Sequence, residues 1–148
     1  MKIDKISEEI VNELFKQGID CSQITLGYVA EKAGISDEVA LKISSAFGGG
    51  MWRGRTCGVI TGALMALGMR YGFSEPIAPE EKSAFLSKCA AFEQKFAEEY
   101  GSVVCKEMLG GYDLGKPEDL QKVIEEELFF TYCNKVVCSG CKLLDEMM

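Results

Sequence analysis

Seven cysteines and no histidine set the chemistry open to this chain of 148 residues. Without histidine there is no Ser-His-Asp or Cys-His catalysis, no histidine-ligated haem and no mixed Cys/His zinc site. What remains is thiol–disulfide chemistry, or a metal held by thiolates. An odd count also leaves at least one cysteine outside any intramolecular pairing. Cys57 is set apart by its surroundings. It follows a glycine-rich loop, Phe47 to Thr56, that carries the only tryptophan, Trp52, and it opens an apolar helix running to Tyr71. Unpaired N–H groups at a helix start favour an anion there. With Arg53 and Arg55 nearby in sequence, Cys57 is expected to ionise below the ordinary thiol pKa of about 8.5 and to alkylate below about pH 8. Cys89 falls on the apolar face of a long helix, so it is expected to pack in the core and resist.

Cys21 and Cys105 also fall at or near helix starts, where a thiolate is favoured. The last three cysteines have their own logic. Cys133, Cys138 and Cys141 carry the C-x4-C-x2-C spacing of plant-type iron–sulfur ligation, although that spacing belongs to a largely β fold. Cys138 and Cys141 are also a C-x-x-C pair, able to close a small-loop disulfide or share a metal. They follow no strand of a βαβ unit, which argues against a thioredoxin-like domain. Their place near the end of the chain also fits an exposed pair at a frayed terminus.

The elements that must position these sulfurs read as helices throughout. Ser7 caps a helix to Gln17 with Ile10, Val11, Leu14 and Phe15 on one face, and Gly18 stops it. Asp20 or Ser22 caps a second helix through Lys32. Ser36 caps a third to Ala46, with Val39, Ala40, Ile43 and Ala46 turned inward. The helix from Cys57 to Tyr71 is dotted with Gly58, Gly62, Ala63, Ala66 and Gly68. Each interior glycine costs about 1 kcal/mol against alanine, so tertiary packing must compensate. Gly58, Gly62 and Ala66 share a face, where another backbone or a cofactor can come close. Glu80 to Tyr100 is a long amphipathic helix, with Phe85, Leu86, Cys89, Phe92 and Phe96 at helical spacing. A short helix, Val103 to Leu109, holds Cys105. Pro117 starts another through Glu127. Leu128 to Tyr132 extends that helix or forms a short extended piece, and Lys142 to Met148 is a weak terminal helix. No segment alternates with a period of two. The expected fold is therefore all-α: one helical domain over residues 1–148, a bundle of roughly six to eight helices around the central glycine- and alanine-rich helix at 57–71, with a cysteine-rich segment at 133–141.

Composition excludes several partners. A net charge of −7 leaves no basic face for nucleic acid. The longest apolar run, Cys57 to Met69, is too short to span a bilayer. The charged N-terminus reads as no signal peptide, so the expected location is cytoplasmic. There cysteines are more often redox-active or metal-binding than structural staples.

The order Cys21, Cys57-Gly58-Val59-Ile60-Thr61-Gly62, Cys105, Cys133 resembles the small redox-active proteins of bacteria and archaea named for a C…GCAxxG…C…C pattern. The resemblance runs from Asp20 to Cys133 and includes Ala46-Phe47-Gly48-Gly49-Gly50 before the motif and Gly62-Ala63-Leu64-Met65-Ala66-Leu67-Gly68 after it. Glycine follows Cys57 rather than preceding it, and Val59 stands at the pattern's alanine. The resemblance implies that Cys21, Cys57, Cys105 and Cys133 form the working set. Three readings follow. In the first, Cys57 is the activated thiolate, supported by Arg53 or Arg55, and one of Cys21, Cys105 or Cys133 resolves its disulfide with an unknown redox partner and no required cofactor. In the second, these four cysteines hold an iron–sulfur cluster or zinc, with Cys138 and Cys141 as alternative ligands. In the third, the chain is a non-enzymatic helical module whose glycine loop and Trp52 bind a small ligand or a second copy, as a homodimer.

Overall fold

The computed structural model describes residues 1–148, and all of its regular structure is helical. The α-helices are α1 (Glu8–Lys16), α2 (Cys21–Tyr28), α3 (Ala30–Ala33), α4 (Asp37–Ile43), α5 (Gly58–Tyr71), α6 (Pro79–Tyr100), α7 (Cys105–Met108), α8 (Pro117–Glu125) and α9 (Asn134–Met147). Two π-helical turns, Gly50–Gly54 and Phe129–Cys133, lead towards α5 and into α9. No helix is long and apolar enough to cross a membrane.

Local chemistry accounts for the helix starts. The Ser7 hydroxyl accepts from the Ile10 N–H at 3.1 Å, and the Ser36 hydroxyl accepts from the Val39 N–H at 3.2 Å. Pro79 and Pro117 stand in the first turns of α6 and α8, where a missing N–H costs nothing. Asp20 is the N-cap of α2, and its own N–H donates to Gln23 Oε1 at 2.9 Å.

The central position of α5 follows from its small residues. It packs against α2, α3, α6 and α9. A methyl group on Gly62 would stand 2.8 Å from the Ser22 carbonyl oxygen and 3.1 Å from Thr25 Cβ, so glycine is what lets α2 cross so closely. On the other side, a methyl on Gly140 of α9 would overlap Val59 Cγ1. Phe92 and Phe96 of α6, stacked at 6.3 Å, are buried against the same core. Each contributes about 2–3 kcal/mol of apolar burial. A second, smaller core forms where Cys105, Leu109, Leu114 and Val123 pack together.

Four expectations need correction. The second helix does not run unbroken to Lys32: it breaks at Val29 (φ −107°, ψ 12°), just past Gly27, and resumes as α3. The third helix ends at Ile43 rather than Ala46, and Val39, Ile43 and Ala46 are exposed, because α4 turns only Ala40 fully inward. Residues 128–132 are neither helix extension nor extended chain but lead through a π-helical turn into α9. The terminal helix starts at Asn134 rather than Lys142, since Val136, Val137, Cys141 and Leu144 give it a buried apolar stripe. Cys138 and Cys141 therefore lie buried inside a helix, not at a frayed end.

Candidate functional site

The cavity between the two cores is where four of the seven cysteines meet. It has a volume of about 140 Å³, and Cys21, Cys57, Cys105 and Cys133 all line it. Val59, Val136 and Val137 come to it from the main core, Leu109 and Leu114 from the smaller one. Phe15, Phe129 and Phe130 form an aromatic wall, with Phe15 edge-on to both others at 6.4 Å.

Each sulfur is delivered by a different device. Cys21 is the first residue of α2. Cys57 is the N-cap of α5 and Cys105 the first residue of α7, and these two are tied together by an antiparallel bridge between Thr56 and Val104. The Cys57 N–H donates to the Val103 carbonyl at 2.8 Å, and the Cys105 N–H donates to the Arg55 carbonyl at 2.6 Å. Side chains alternate across such a pairing, so Cys57 and Cys105 project on one face as diagonal neighbours. Cys133 closes the second π-helical turn.

The glycine loop is a left-handed turn. Gly49, Gly50, Met51 and Trp52 all have φ between 54° and 63°. Glycine adopts this freely, whereas Met51 and Trp52 each carry about 1–2 kcal/mol of strain. A methyl on Gly50 would stand 2.8 Å from Cys105 Cβ, so the turn can seat against that cysteine only with glycine there. Trp52 reaches back to the cavity, and its indole N–H donates to Asp20 Oδ2 at 3.3 Å. Gly58 has a related role. A methyl there would collide with Cys21 Sγ, so the glycine following Cys57 makes room for the neighbouring sulfur.

The expected early ionisation of Cys57 is reversed. Burial pushes its pKa well above the ordinary 9.0, and the nearby Cys21, Cys105 and Cys133 add to the rise; the Val59 amide at the helix start opposes them and loses. Arg53 and Arg55 are exposed and neither lines the cavity. Burial also raises Cys105, to about 12, with Cys21 and Asp113 contributing, and raises Cys133, with Cys21 and Cys105 contributing. Cys21 is raised by burial and by Asp20, but amides of Gly49, Ser22 and Gly58 pull it back. Cys21 and Cys133 are part-buried, whereas Cys57 and Cys105 are buried.

The remaining cysteines lie elsewhere. Cys138 and Cys141 are buried along α9 away from the cavity, with Cys141 Sγ 4.0 Å from Thr25 Oγ1. Cys89 is part-buried on α6 rather than in the core, because its side of the helix meets the core only partway. All seven cysteines are free thiols, and no three Cys, Asp or Glu side chains converge closely enough to share a metal ion. The four cysteines share the lining of one cavity without forming such a group. Reading the sequence for reactive residues passed over Asp20, the only carboxylate at the cavity. Its place directly before Cys21 was the available signal.

Fold and cavity together define a small all-α protein with a four-thiol apolar pocket. The family model described as "Putative redox-active protein (C_GCAxxG_C_C)" matches residues 19–147. The chain belongs to that family. No curated protein and no solved structure matches it.

Proposed function

We propose that the chain is a thiol-redox protein in which Cys21, Cys57, Cys105 and Cys133 act as one cluster, Cys21 attacking and Cys57 resolving. One observation carries the reading: four cysteines from four separate elements line a single cavity. The choice of Cys21 over Cys57 and Cys105 rests on its partial exposure and on its place as the first residue of α2, where the N–H groups of the helix start favour an anion. Cys57 is the natural partner, because Gly58 keeps the adjoining helix turn clear of the Cys21 sulfur. In the cycle, the Cys21 thiolate attacks a substrate disulfide and expels one thiolate, which takes up a proton. Cys57 then attacks the mixed disulfide, releasing the second thiol and leaving a Cys21–Cys57 disulfide. Two electrons and two protons pass to the substrate.

The test is thiol counting on the fully reduced protein before and after treatment with a disulfide oxidant, followed by mass-spectrometric mapping. Loss of two thiols, joined as Cys21–Cys57, is expected. Oxidation confined to Cys138 and Cys141, or no loss of thiols, overturns the proposal.

A further inference from the structure

The walls of the cavity constrain what can reach its sulfurs. Building on the thiol-redox reading above, we propose that the substrate is a small, neutral, apolar disulfide carrying short alkyl groups, and that charged and peptide disulfides are excluded. Size is the first argument. A cavity of about 140 Å³ compares with the roughly 150 Å³ engineered cavity that stays dry and holds one benzene molecule. Diethyl disulfide has as many heavy atoms as benzene. Oxidised glutathione is several times larger.

Polarity is the second argument. Apart from the thiols, the lining is overwhelmingly aliphatic and aromatic, and no lysine or arginine is part of it. A carboxylated substrate would leave water without gaining a cation, a loss of several decades in affinity. The one lining carboxylate, Asp20, is hydrogen-bonded to Trp52. Trp52 and Phe130 are the lining residues most open to solvent, at 40% and 37% exposure, so they mark the mouth. An anion arriving there meets Asp20 and the field of a chain with net charge −7. A neutral disulfide meets indole and phenyl faces.

The step balances without another oxidant. Cys21, its proton lost to solvent, attacks one sulfur of diethyl disulfide; that S–S bond breaks as the mixed disulfide forms, and ethanethiolate leaves and is protonated. Cys57 displaces the second ethanethiol from the Cys21 sulfur. The protein gains one disulfide, and the substrate becomes two thiols.

The experiment follows a single turnover of the reduced full-length protein, with diethyl disulfide and oxidised glutathione at equal concentration, by loss of titratable thiols. The measured rates are divided by those for a free small-molecule thiol. Diethyl disulfide is expected to react at least about tenfold faster on this normalised scale, a single unpaired buried charge being worth more than that. Saturating benzene is expected to slow the reaction and to change Trp52 fluorescence. Equal normalised rates, or no slowing by benzene, would overturn the substrate class while leaving the thiol-redox reading intact. Loss of no thiols to either reagent would overturn both.

Discussion

Cys57 and Cys141 are both buried cysteines on elements that touch the central core, yet their surroundings differ in kind. Cys141 is fully enclosed along α9, and its pKa is pushed to about 12 by burial, with Cys138 beside it adding to the rise. Cys57 has three other sulfurs around it and open space in front of it. Burial and a raised pKa are thus common to both regions and distinguish neither. The cavity is what separates a sulfur that fills space from one that can meet a substrate. It exists because the small core of Cys105, Leu109, Leu114 and Val123 packs beside the main one without closing the seam.

Removing one sulfur from each region is the strongest way to break that contrast. Cys21→Ala is expected to slow two-thiol oxidation by at least about a hundredfold. It should cost less than about 1 kcal/mol of stability, since its side chain borders space that is already open. Cys141→Ala is expected to do the reverse, costing about 1–2 kcal/mol in urea unfolding and leaving oxidation unchanged. If the two variants ranked the same way on both measurements, the division between packing and working sulfurs would fail. Gly58→Ala sharpens the point at the cavity itself. The added methyl collides with Cys21 Sγ, so a loss of about 1–3 kcal/mol is expected from overpacking. The Cys21–Cys57 cross-link should also form in lower yield.

Alkaline titration shows what the two regions share. A thiol whose folded pKa is raised stays protonated in the fold while the unfolded chain ionises, so stability is intact below the ordinary thiol value and falls above it. For Cys105 and Cys141 the window runs from 9.0 to about 12. Within it each such thiol removes about 1.4 kcal/mol of stability per pH unit. Unfolding midpoints measured between pH 8 and pH 11 should fall more steeply as this window is entered. Cys105→Val and Cys141→Val should each flatten the slope by one thiol's share. A profile unchanged by either variant would contradict the burial of these sulfurs.

The helical class and the central place of α5 were legible because both rest on periodicity and on small residues that only close packing can compensate. The resemblance to a four-cysteine pattern supplied the set Cys21, Cys57, Cys105 and Cys133, and these are the sulfurs the fold brings to one cavity. The ionisation state was not legible. Arg53 and Arg55 are near Cys57 in sequence, but the left-handed turn at Gly49–Trp52 sets the course of the loop, and both arginines end at the surface. That turn places Met51 and Trp52 at positive φ, a conformation local preference disfavours for both residues. The start of α9 was missed for a related reason. Glu127 also takes a positive φ, of 56°, and the following π-helical turn shifts the helical register, so no regular spacing carries through to Asn134.

Gly68→Ala is the smallest test and the control for the others. Gly58 and Gly68 lie on the same helix and, as residue types, carry the same intrinsic penalty. They differ in position, Gly58 being the first residue of α5, and in what a methyl would meet: Cys21 Sγ, the Ser22 backbone N and the Phe47 carbonyl at Gly58, and nothing within 4 Å at Gly68. Alanine at 68 therefore gains helix propensity without a collision, and a stabilisation of about 0.5–1 kcal/mol is expected in urea unfolding, with oxidation unchanged. Opposite signs for the two alanines would establish that the glycine at 58 is held by the close approach of Cys21 and the neighbouring backbone rather than tolerated by the helix. Equal destabilisation would mean that α5 needs its glycines for packing along its whole length, and the special claim for Gly58 would fall.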